Sequence, residues 1–185
     1  FDDYRNGADM VLEILNNVKK ESSHLGLSID VTFSSDQTNL DEKMNRIIEE
    51  IKGGWKSEVK YFESDTTDYV GSVDIARSVI VVSRKTVEDL FKLELNSKRD
   101  ELDAHPVQLS ILAQVEEQAE TFLALCIKYK DETKARIYRE VLENIEYIRA
   151  EKRESFPDVQ QDENALREQY EGLKLLHRSL VNNLV

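Results

Sequence analysis

The sequence predicts an α+β protein that is predominantly helical: a small N-terminal α/β segment with two or three strands, then a C-terminal helical bundle. Three observations lead there. Six Gly and two Pro in 185 residues are too few for the tight turns of an all-β sandwich. Apolar residues alternate with period two early in the chain, at Leu27, Ile29, Val31 and Phe33. From Thr86 onward they recur almost throughout at helical spacing. A hydrophobic share of 40% is enough to build a core and disfavours intrinsic disorder.

The elements follow in order. Val11, Ile14, Leu15 and Val18 fit a helix from about Ala8 to Leu25, with Leu25-Gly26-Leu27 as its stop. Residues 27–33 then read as a strand with Leu27, Ile29, Val31 and Phe33 on a core and Ser28, Asp30 and Thr32 toward water. Asn39, with Glu42 three residues on, is placed to cap a helix striped by Leu40, Met44, Ile47, Ile48 and Ile51 and ended by Gly53-Gly54. Val59 and Tyr61 suggest a second strand, and Ser64 to Asp68 an acidic loop. Val79-Ile80-Val81-Val82 is a β-branched run suited to a strand covered on both faces, with Val73 and Ile75 either its start or its hairpin partner.

Thr86 can cap the next helix, where Val87, Leu90, Phe91, Leu95 and Leu102 mark a buried stripe. His105-Pro106 punctuates, and a helix from Val107 toward Tyr129 follows. The pattern of Ile137, Val141, Leu142, Ile145 and Ile148 either continues it or begins anew after a break near Lys130 to Thr133. Ser155-Phe156-Pro157 marks a boundary before a last helix of about Asp162 to Asn183, in which Gly172 costs about 1 kcal/mol relative to Ala. The change of period divides the chain into an α/β segment, 1–97, and a helical segment, 98–185, either separate or integrated as one domain.

A net charge of −12 argues against nucleic acid, whose phosphates call for a basic face. Lys128, Lys130, Lys134, Arg136 and Arg139 are interrupted by Asp131, Glu132 and Glu140 and read as a solvated helix face. The same charge is modest for an acidic mimic of nucleic acid. The longest apolar run, Phe122 to Ile127, is far shorter than the ~20 residues that span a bilayer, so no membrane insertion is expected. No basic stretch followed by an apolar run opens the sequence, so no signal peptide is expected, and the lone Cys126 in an apolar run fits a buried thiol in an intracellular, cytoplasmic protein.

Signs of catalysis are sparse. No glycine-rich phosphate loop or G-x-S-x-G elbow occurs, and His24, His105 and His177 lack metal-ligand spacing, which makes them surface or cap residues. No metal or cofactor is expected. Glu116, Glu117 and Glu120, and Glu140 and Glu143, sit at neighbouring helical positions that could bind a hard cation, although a solvated face explains them as well.

Ile29-Asp30-Val31-Thr32-Phe33-Ser34-Ser35-Asp36, the helix to Ile51, the strand near Tyr61, Ser78-Val79-Ile80-Val81-Val82-Ser83 and Leu90-Phe91-Lys92-Leu93-Glu94 together resemble the start of a TIR domain. Leu90-Phe91 stands where that family has Trp-Cys. The resemblance implies a parallel sheet continuing past Val82, a signalling or NAD-cleaving activity, and Glu94 as the catalytic residue. The helical half points instead to a non-enzymatic interaction or scaffold domain that binds a protein partner or self-associates. Leu173, Leu176, Leu180 and Leu184 near the C-terminus are the expected contact.

Overall fold

The computed structural model describes residues 10–14, 25–33, 37–54, 58–63, 70–155 and 171–184. The protein is α+β and mostly helical, as its sequence predicts. Strands β1 (Met10–Ile14), β2 (Leu25–Phe33) and β5 (Ala76–Val82) form one sheet in the order β1-β2-β5. Strands β3 (Glu58–Glu63) and β4 (Val70–Asp74) form a separate antiparallel ribbon. The helices are α1 (Gln37–Lys52), α2 (Arg84–Leu95), α3 (Arg99–Asp103), α4 (Val107–Tyr129), α5 (Glu132–Ser155) and α6 (Glu171–Leu184).

Three expectations are corrected at the N-terminal side. The first segment is not helical where it is described: β1 runs antiparallel to β2, with Ile14 opposite Leu25 and Glu13 opposite Gly26. Leu25-Gly26 therefore opens a strand rather than closing a helix. The short apolar run Met10-Val11-Leu12 suits either period, and backbone pairing with a neighbouring strand decides it. Residues 15–24, the rest of the expected helix, lie outside the described residues, as does the loop at Ser64 to Asp68. Val73 belongs to β4, whose partner is β3, and buried Ile75 joins it to β5.

The alternation in β2 is also reversed at its end, where Thr32 is buried and Val31 is 40% exposed. In the parallel β2–β5 register Thr32 lies beside Val81. Val81 meets α6 at Gly172, so Thr32 shares the face that the helices cover. A Cβ built on Gly172 would lie 2.2 Å from the Val81 carbonyl oxygen. Glycine here lets a helix approach a strand more closely than any side chain permits.

Where it is described, the C-terminal half follows its pattern; the Phe156-Pro157 boundary and the expected last helix before Glu171 lie outside the described residues. α4 spans Val107–Tyr129 and breaks at Lys130, which adopts φ 61° while the Asp131 amide donates back to the Cys126 carbonyl at 2.9 Å. Asp131 then caps α5, its Oδ1 accepting from the Lys134 amide at 3.0 Å. Leu40, Met44, Ile47, Ile48 and Ile51 of α1 join Val79, Phe122, Val141, Leu176 and Leu180 in a single core, so residues of both halves pack together.

β5 is the edge of its sheet, yet it is buried along its length. Its outward backbone groups are met by side chains of the helices. Gln118 Oε1 accepts from the Val79 amide at 2.8 Å and its Nε2 donates to the Val79 carbonyl at 2.9 Å. Gln114 does the same for Val81, at 2.8 and 3.2 Å. Tyr138 Oη accepts from the Arg77 amide at 3.3 Å and donates to its carbonyl at 3.2 Å. Every second residue of the strand is thus paired by a side chain in place of a sixth strand. The sheet stops at β5, and no strand follows Val82 among the described residues.

Candidate functional site

The helix expected to be buried by Val87, Leu90, Phe91 and Leu95 is the least buried of the long helices. No residue of α2 is buried. Val87 is 41%, Phe91 60% and Leu95 68% exposed, while Leu90 and Leu93 on the inner side are half-buried. The stripe i, i+4, i+8 was legible as amphipathic, but it faces outward. Amphipathic periodicity says that an apolar face will be covered without saying by what.

Local interactions hold this helix in place of deep packing. Ser83, not Thr86, is its N-cap: Ser83 Oγ accepts from the Thr86 amide at 3.0 Å and bonds the Thr86 hydroxyl at 2.8 Å. Arg84 pairs with Glu88 at 3.0 Å and Lys92 with Asp89 at 3.1 Å. At the far end Ser97 takes φ 54° and the Lys98 amide donates to the Leu93 carbonyl at 3.0 Å, closing the last turn. The result is a regular helix displaying a large aromatic residue at its middle.

The leucine stripe of α6 is divided by the fold. Leu176 and Leu180 are sealed in the core and out of reach of a partner, whereas Leu184 is 45% exposed beside Val181 at 48%. The side chain of Leu173 lies outside the described residues. Polar ties fix α6 further: the Ser179 hydroxyl donates to Asp41 of α1, and His177 Nδ1 meets Glu117 of α4. Glu94 is exposed on α2.

The candidate carboxylates separate. Glu117 turns to His177, and Glu140 accepts from Arg136 at 3.0 Å. Glu116, Glu120 and Glu143, with Glu146, line an open cleft of about 520 Å³ between α4 and α5, together with Arg139 and Arg149. Arg149 Nη1 lies 2.7 Å from Glu116 Oε2. Among the described residues no group of three or more His, Cys, Asp or Glu is arranged to hold a metal. His105 precedes the Pro106 N-cap of α4, and its Nδ1 accepts from the Val107 amide at 3.2 Å.

Charged groups near the sheet serve the fold. Arg77 Nη1 sits 2.6 Å from Glu50 Oε1, and Lys134 Nζ donates to the Glu50 carbonyl at 3.1 Å. Lys134, read as part of a solvated basic face, is buried by this contact. Cys126 is inaccessible, and burial, reinforced by Asp131, pushes its thiol up to about 11. Burial likewise raises the Tyr138 phenol, which keeps its proton for the Arg77 carbonyl.

No helix among the described residues is long and apolar enough to cross a membrane. Comparison with protein-family models, curated proteins and solved structures finds no match to the chain.

Proposed function

We propose that the protein is a non-enzymatic interaction domain that presents α2 to a protein partner. The observation that supports this reading is the exposed row Val87, Phe91 and Leu95 on a helix that buries none of its own residues. Aromatic anchors flanked by smaller apolar residues at helical spacing suit helix-mediated recognition, in which a few large side chains supply most of the affinity. The sharp caps and the paired charges keep the helix formed before binding, which lowers the ordering cost of association.

A photo-crosslinking amino acid at Phe91 tests the reading in cells expressing the full chain, with Arg136, on the exposed side of α5, as the control position. A defined protein adduct, whether with another protein or with this chain, is expected from position 91 and not from 136. Equal labelling from both positions, or none from 91, refutes it.

A further inference from the structure

The partner that α2 fits best on the grounds of charge is a second copy of the chain. Resting on the reading of α2 as an interaction surface, we propose that two copies associate through α2 helices packed antiparallel about a two-fold axis at Phe91. The chain carries a net charge of −12, so two copies repel one another at long range. α2 adds nothing to that repulsion: its three basic residues, Arg84, Lys85 and Lys92, equal its three acidic ones, Glu88, Asp89 and Glu94.

The order of these residues is self-complementary. In an isologous pair each residue meets a different residue of the same patch. An axis at Phe91 sets Val87 of one copy beside the partner's Leu95, with the two Phe91 rings in the middle. Glu88 and Lys92 lie one turn apart on the same flank of the stripe, so the antiparallel arrangement brings each Glu88 toward the partner's Lys92, twice by symmetry. Both side chains are well exposed, at 54% for Glu88 and 68% for Lys92, and their present partners Arg84 and Asp89 lie on the same helix. They can therefore turn to an incoming chain without uncovering a buried charge. One helix pair makes an interface below the standard size, which implies a weak, concentration-dependent dimer with Kd on the order of 10–500 μM.

Sedimentation equilibrium of the full chain across that range tests the inference. The unmodified protein should dimerise, and Phe91→Ser should weaken the dimer at least tenfold while circular dichroism shows the fold retained. Glu88→Lys and Lys92→Glu should each weaken association at low salt. Their equimolar mixture should associate more tightly than either alone, because both 88–92 cross-pairs are attractive only in the mixed dimer. A strict monomer at 500 μM, a dimer indifferent to Phe91→Ser, or a mixture no tighter than its components overturns the second-copy inference. If the chain is monomeric but Phe91 still crosslinks to a different protein, the broader reading of α2 stands and only the identity of the partner fails.

Discussion

Replacing Gln118 with Leu should cost the fold several times what an ordinary surface change costs. Gln118 is fully buried and serves Val79 at both its amide and its carbonyl, with a third bond from Nε2 to the Gln114 carbonyl at 2.8 Å. Leucine fills the same space and orphans two backbone groups of a buried strand, each costing about 1–3 kcal/mol. The apolar side chain recovers part of this through burial, about 1–2 kcal/mol. A net loss of about 2–4 kcal/mol lowers the urea midpoint and, at about 2–4 °C per kcal/mol for a chain of this size, lowers Tm by about 5–15 °C.

Gln118→Glu isolates the cause. Burial raises a carboxyl above its unfolded pKa of about 4.3. Its neutral form can accept from the Val79 amide and donate to the Val79 carbonyl, as the amide does. Stability relative to the parent is thus retained below the unfolded pKa and lost as pH rises through the raised folded value. Urea unfolding followed by circular dichroism at pH 5 and pH 8 should show a deficit that grows with pH. A Gln118→Leu protein as stable as the parent would refute the idea that this side chain closes the sheet.

Gly172→Ala gains helix propensity, about 1 kcal/mol, but drives a Cβ into the Val81 carbonyl, so a lower urea midpoint is expected, and a higher one would show that α6 can shift freely. Leu180→Asp should unfold the chain or displace α6, detected as lost helical signal, because Leu180 is 2% exposed; a stable fold with normal helicity would contradict its place in the core. Cys126 should resist thiol reagents at pH 8 until urea unfolds the chain. Since its folded pKa of about 11 exceeds the unfolded value near 9, it contributes stability that is intact below pH 9 and fades as pH rises toward 11, by about 3 kcal/mol. Equal alkaline sensitivity in Cys126→Ala would assign that loss to other groups such as Tyr138.

Much of the helical half was legible because its signals are local. Pro106 and the stripe from Ile137 to Ile148 need no distant partner to declare a helix boundary or an inner face, whereas the sequence leaves the break at Lys130 open. β1 is not legible because pairing with β2 is a tertiary event, and the three-residue apolar run Met10-Val11-Leu12 does not distinguish strand from helix. The period puts Phe91 on an apolar stripe but does not say whether that stripe faces the core or solvent, since periodicity reports a face and not its neighbour. The glutamines were visible in principle: Gln114 and Gln118 interrupt the apolar side of α4 at i, i+4, and a polar pair on a buried stripe must find partners. Gly172 likewise declared itself through its cost in a helix, for which the close approach to β5 is the reason.

The pairing of a helix with a strand has a limit set by two unequal rulers. Four residues of helix rise about 6 Å, whereas two residues of strand advance about 6.6–6.8 Å. Two rungs tolerate the difference, and Gln114 and Gln118 supply them to Val81 and Val79. The next position on that row of α4 is Phe122, which cannot pair with the backbone of Arg77. Its ring packs instead against Tyr138 from α5, with centroids 5.6 Å apart, and Tyr138 supplies the third rung. The third rung thus comes from α5, which ties the α4–α5 register to the strand. A one-residue deletion in the turn at Lys130 would therefore be felt at Arg77, through the displaced Tyr138 hydroxyl.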